Sequence, residues 1–166
     1  MSDTAPATEF DDVLLLVGRL NYAWTNTESL LIHLIAGLAG TPKDVAVIIF
    51  LTLNTTRART DLVERLAKMD GRDTDEREAV LGLTRRLLKL SSLRNRYNHC
   101  IYAFDPDGGS PRTILMRIAD RKDQIKIGES NTLDADALDR IEAAIEELTD
   151  INRATWAVIK AREYPN

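Results

Sequence analysis

An all-α fold, a four-helix bundle with one short β-hairpin between its third and fourth helices, is what this sequence predicts. Apolar residues recur at steps of three and four along most of its 166 residues, the mark of amphipathic helices. Breaks rich in glycine and proline separate those runs. Only over residues 113–127 does the period shorten to alternation.

The length fits a single domain, 1–166, with enough chain to bury a core. A hydrophobic content of 44% with 29% charged residues is ordinary for a globular protein, and the net charge of −4 gives no overall basic character. The one cysteine, Cys100, forms no intrachain disulfide and fits a reducing compartment. The start, residues 1–12, is acidic and polar and does not read as a leader. The most apolar run, Val45 to Leu53, is far shorter than the ~20 residues a bilayer span needs. The expected locale is the cytoplasm, with no membrane partner.

The first helix is expected over about Phe10 to Leu38, with Val13, Val17, Leu20, Trp24, Leu31, Ile35 and Leu38 on one face. Glu28 falls within that stripe, about 40° from Trp24 at about 100° per residue. His33 points the opposite way and is expected at the surface. Gly40 suits a left-handed helix stop, Thr41 an N-cap and Pro42 the first position of the next helix. The second helix then runs to about Met69, with Val45, Ile49, Leu53, Thr56, Thr60, Val63 and Ala67 inward. Gly71 closes it, and Asp73 with Glu76 opens the third in a capping-box pattern.

The third helix is expected to continue to Phe104, where residues 105–111 form a turn-rich loop. Thr113 to Ile118 and Gln124 to Ile127 alternate around Ala119 to Asp123 as a hairpin. The fourth helix starts near Thr132 or Asp134, with Asp134 as cap between Leu133 and Leu138. Its stripe is Leu138, Ile141, Ile145, Leu148, Thr155, Trp156 and Ile159, and it frays by Tyr164.

Chemistry concentrates on the third helix. From Ala79 to Phe104 there is no acidic residue. Its apolar face reads Val80, Leu83, Leu87, Leu90, Tyr97, Ile101 and Phe104, and the place after Leu90 is taken by Arg94. A buried guanidinium needs an acceptor, and Glu28 is the best placed one in the sequence. Read structurally, the two make an interior ion pair and nothing more. Beside Arg94 lies a face of small or hydrogen-bonding residues, Ser91, Asn95, Asn98, His99 and Tyr102, fit for a polar cleft or a close helix contact. A further face carries Arg85, Lys89, Ser92 and Arg96. Arg85, Lys89 and Arg96 are the RNA-binding candidates; read structurally, they are a solvated face pairing with Asp136, Asp139, Glu142 or Glu146.

The run Arg94-Asn95-x-x-x-His99, late in the third helix of a bundle, resembles the motif of the HEPN superfamily: an arginine, four to six residues, then a histidine, often with a polar residue after the arginine. The resemblance implies a homodimer whose motif helices meet in a composite, metal-independent ribonuclease site, with Arg94, Asn95 and His99 catalytic and Glu28, Asn98 and Tyr102 supporting. Some HEPN toxins pair with a nucleotidyltransferase antitoxin that modifies a tyrosine two residues after the histidine. Here residue 101 is Ile, and the nearest downstream tyrosine is Tyr102. Other members are non-catalytic dimerisation or regulatory modules.

The chemistry can also be reasoned from the residues. Cleaving RNA with its own 2′-hydroxyl needs a base, an acid and a cation for the phosphorane. Two chains about a two-fold axis offer two histidines and two arginines, where one offers a single set. No cofactor is called for. His33 and His99 stand on different helices, no Cys-x-x-Cys or His-x-x-x-His spacing occurs, and Gly108-Gly109 does not follow a strand as a phosphate loop would.

Overall fold

Helical periodicity is honoured, but in shorter pieces than a four-helix bundle requires, and alternation claims more of the chain. The structure, a computed structural model, describes residues 9–104 and 111–166. The acidic start through residue 8 and most of the expected turn-rich loop lie outside the described residues. In chain order the elements are α1 (Glu9–Glu28), α2 (Leu31–Ala39), α3 (Lys43–Thr52), α4 (Thr56–Ala67), α5 (Thr74–His99), β1 (Cys100–Ala103), β2 (Arg112–Arg121), β3 (Gln124–Thr132) and α6 (Ala135–Ala161). The class is therefore mixed: mostly helical with a three-stranded antiparallel sheet in the order β1-β2-β3. It is not a four-helix bundle with a hairpin.

Two compact units divide the chain, one from Met1–Tyr22 and Leu93–Ile145, the other from Ala23–Ser92 and Glu146–Asn166. The second unit holds the helix breaks that the periodicity passes over. The expected first helix is interrupted at Ser29 and Leu30, where bonds tighten to three residues: Leu30 N–H donates to the Thr27 carbonyl and His33 N–H to that of Leu30, each at 3.1 Å. Beyond the break Leu31, Ile35 and Leu38 are buried as expected, but α2 is buried nearly all round, with Leu34 and Ala36 inside as well. His33 is accordingly buried, not exposed. Its Nδ1 lies 2.8 Å from the Pro165 carbonyl, and its ring centroid 5.3 Å from that of Trp156.

The expected second helix breaks at Leu53, which is extended (φ −83°, ψ 113°). Thr55 restarts it as an N-cap, its hydroxyl accepting from Ala58 N–H at 3.1 Å. Gly40 ends α2 in the left-handed conformation (φ 61°), as expected. The N-cap of α3 is Pro42 rather than Thr41.

The core of this unit gathers Trp24, Leu34, Ile35, Val63, Val80, Leu87, Leu148, Ile151 and Ile159, all fully buried. Chain past α6 does not fray. Tyr164 is buried, its hydroxyl bonds Glu76, and its ring lies so close to Gly37 that a Cβ there would fall 2.1 Å from it. Glu76 therefore bonds Tyr164 and Arg72 instead of closing a capping box, while Asp73 still accepts from the Glu76 N–H at 3.4 Å.

In the first unit, Val13, Leu20, Tyr97, Leu133, Ala137 and Ile141 are buried, and the Phe10 and Phe104 rings meet edge to face at 4.1 Å. The expected third helix stops at His99, five residues early. Cys100 to Ala103 pair with β2 instead, Ile101 facing Ile114 and Tyr102 facing Thr113. Ile-Tyr has strong strand propensity, and three residues at helical spacing cannot outweigh a ladder partner. The hairpin is longer than the alternation suggests: β2 and β3 pair from Arg112↔Thr132 to Arg121↔Gln124, with a bulge between Leu115 and Ile118. Asp134 caps α6 as expected, its carboxylate accepting from Ala137 N–H at 2.8 Å. Among the described residues no helix is long and apolar enough to cross a membrane.

Candidate functional site

The last two turns of α5 and the strand after them bring the motif residues together within the first unit. Asn95, Asn98 and His99 are exposed, and Arg94 and Arg96 half-buried. Arg94 is thus not the fully buried guanidinium its place in the stripe suggests. Its Nη1 donates to the Asn95 Oδ1 at 3.0 Å, so the polar residue after the arginine holds one edge of the guanidinium. His99, the last helical residue, stands with Arg96 in the final turn, where cations are favoured by the helix dipole. Arg96 reaches Glu129 on β3 at 3.7 Å.

Tyr102 belongs to β1 rather than to the helix face. Its hydroxyl donates to the Tyr97 carbonyl at 2.8 Å, and the Cys100 thiol approaches the same oxygen at 3.7 Å. That carbonyl is one of the last four of the helix, which have no partner within it. Tyr102 therefore fixes where α5 ends and how His99 is presented. Burial raises the phenol pKa of Tyr102 well above its usual value and that of Tyr97 less far. Both stay protonated at neutral pH, so neither is a base.

Glu28, Arg85 and Lys89 belong to the second unit. The buried carboxylate of Glu28 accepts from Arg59 Nη1 at 3.2 Å, from Trp24 Nε1 at 3.2 Å and from the Thr56 hydroxyl. Arg59 also donates from Nε to the carbonyls of Phe50 (3.1 Å) and Leu53 (2.9 Å), and its guanidinium lies 3.9 Å from the Phe50 ring centroid. It closes the end of α3 and neutralises Glu28 together. Sequence reasoning missed this residue. The usable signal was Asn54-Thr55-Thr56, a helix start that would have turned Arg59 toward the preceding helix end.

Arg85 and Lys89 are exposed, and with Glu64, Lys68, Leu81 and Leu88 they line an open groove of about 440 Å³. Lys68 is held by Glu64 at 3.6 Å. The neighbouring Arg86 is paired with Glu147 through two bonds of 2.7 and 3.0 Å. This bidentate pair raises the pKa of Arg86 and lowers that of Glu147. Among the described residues, no three His, Cys, Asp or Glu side chains are grouped as a metal site would need. Comparison with protein-family models, curated proteins and solved structures finds no match to this chain.

Proposed function

We propose that the chain is a HEPN-type, metal-independent endoribonuclease that acts as a dimer, in the manner of a toxin or defence effector held in check by an antitoxin protein. The observation that carries this reading is the exposure of His99, Asn95 and Asn98 on the same two helical turns as Arg94. An exposed imidazole can both take and give a proton. An arginine steadied by Asn95 presents fixed donors to a phosphate.

In this mechanism His99 of one copy takes the proton of the RNA 2′-hydroxyl. The 2′-oxygen attacks the adjacent phosphorus while the guanidiniums of Arg94 neutralise the charge of the phosphorane. His99 of the second copy protonates the departing 5′-oxygen. The products are a 2′,3′-cyclic phosphate and a 5′-hydroxyl. Tyr102 positions the helix end through the Tyr97 carbonyl, exposed Asn98 offers its amide to the substrate, and Arg96 exchanges its contact with Glu129 for backbone phosphate. Arg85 and Lys89 add exposed cations suited to phosphate oxygens on the other unit. Glu28 is given no catalytic part, since its carboxylate is committed to Arg59.

Purified protein incubated with total RNA in excess EDTA tests this reading. Expected are fragments ending in 2′,3′-cyclic phosphate, no cleavage of DNA, and a dimer by light scattering. A dimer that leaves RNA intact would instead make the chain a non-catalytic regulatory module.

A further inference from the structure

Of the two tryptophans, Trp24 is 1% exposed, whereas Trp156 on α6 is only half-buried. Trp156 lines an open hollow of about 510 Å³ together with Thr149, Asn152, Arg153 and Lys160. The indole is buttressed on one side. The His33 ring centroid lies 5.3 Å from it, and His33 is itself buried, with Nδ1 2.8 Å from the Pro165 carbonyl. Asn152 is held as well, its amide donating at 3.4 Å to the Asn26 carbonyl and to the Thr27 hydroxyl. All of these residues belong to the second unit. The indole is therefore a fixed platform with part of its surface in water.

The charges around it narrow what it could carry. Arg153 and Lys160 are exposed, three residues before the indole and four after it. At about 100° per residue both fall within about 60° of Trp156, so the three share one helix face. The helical rise sets the two cationic positions about 10 Å apart along the axis, one on each side of the ring. Arg153 contacts Asp150 at 3.1 Å, with side chains 76% and 58% exposed. So exposed a pair is worth little, and a phosphate can displace the carboxylate. Among the described residues lining the hollow, none is acidic and none is aliphatic. An apolar helix or strand of a partner would find no hydrocarbon beside the indole, and an acidic peptide would leave the indole uncovered. A flat base between two phosphates covers the ring and meets both cations. Aromatic rings flanked by cations bind single strands in this way without regard to sequence.

We propose that Trp156 is a stacking platform for single-stranded RNA: one base lies on the indole, and Arg153 and Lys160 hold the phosphates on either side of it. The choice of RNA as the strand rests on the ribonuclease reading. The platform uses none of the motif residues, and its part is to grip substrate, not to cut it.

The probe is a labelled 2′-O-methyl oligoadenylate of about eight nucleotides, within the span of single-strand sites. Its blocked 2′-oxygen cannot attack phosphorus, so binding is read apart from cleavage. Titrated into the full chain, it should quench tryptophan emission in part, because Trp24 is buried and only Trp156 is within reach. By anisotropy, Trp156→Ala should weaken binding about 5- to 150-fold, and Trp156→Phe, which keeps a ring, by less. Arg153→Gln and Lys160→Gln should each reduce the slope of log affinity against log salt by about 0.7. Both positions are exposed, so these two variants should melt with the parent. Adenosine monophosphate should bind far more weakly than the strand. Absence of binding, binding without quenching, a salt slope unaltered in both charge variants, or adenosine monophosphate binding as tightly as the strand would overturn the proposal. Quenching by the probe in a protein that leaves unmodified RNA intact would sink the ribonuclease reading and keep the platform. Cleavage of RNA without quenching by the probe would do the reverse.

Discussion

The two units treat their polar groups in opposite ways. The unit from Ala23–Ser92 and Glu146–Asn166 draws charged side chains inward and satisfies them: Glu28 by Arg59, Trp24 and Thr56, Glu76 by Tyr164 and Arg72. The unit from Met1–Tyr22 and Leu93–Ile145 leaves the hydrogen-bonding residues Asn95, Asn98 and His99 outside, while both units expose large apolar side chains, Ile48 and Leu51 in the one and Ile125 and Ile127 in the other. Buried, satisfied polar groups specify a packing, whereas exposed ones are available to other molecules. Substitutions should therefore cost stability at the former and interactions at the latter.

The largest break in that contrast is expected at Arg59. Arg59→Ala leaves the Glu28 carboxylate buried without its counter-charge, and such losses cost about 3–5 kcal/mol. Denaturant unfolding should show it, and adding Glu28→Gln should restore part of the loss. An Arg59→Ala protein as stable as the parent would mean that Glu28 is solvated. Next comes Gly37→Ala, whose Cβ meets the Tyr164 ring at 2.1 Å. Overpacking of this kind costs about 1–3 kcal/mol, and Tyr164 fluorescence should report release of the chain end.

The Arg86–Glu147 pair sharpens the contrast through pH. Its carboxylate has a folded pKa below the usual 4.5. Linkage then makes its contribution fully present above that value and lost as pH falls through the lower, folded one. Both side chains are 38% exposed, so the effect is small. Melting curves from pH 7 to pH 3 should show a slightly shallower acid decline for Glu147→Gln. The smallest effect belongs to the sheet arm: Ile125→Thr and Ile127→Thr should shift stability by no more than about 0.5 kcal/mol. A larger loss would show that these side chains are covered in solution.

Legibility in the sequence tracked how local each signal is. Gly40 and Asp134 act through their own backbone neighbourhood, and both bound helices where residue type alone places them. Ser29 and Leu30 carry no glycine or proline, so periodicity passes over a break made by tightened hydrogen bonds. His33 was set outward because a wheel offers one inner face where α2 is buried nearly all round, and Glu28 was given to Arg94 because the break at Leu53 that turns Arg59 toward it went unseen. Ile101 and Tyr102 fit a helical stripe and a strand equally well, and the choice was made by β2, which lies downstream in the chain. The nearness of Arg94, Asn95 and His99 was legible because all three lie on one unbroken helix. The support of its end by Tyr102 was not, because that contact crosses from helix to strand.

The most direct test of the ribonuclease reading is the cleavage rate of His99→Ala beside wild type, with excess EDTA and thermal melts on the same samples. His99 is exposed, so the melts should coincide. Loss of a proton-transfer group should lower the rate by about 10²–10⁴. Cleavage that survives His99→Ala at the wild-type rate, or that appears only when magnesium is supplied, would contradict it.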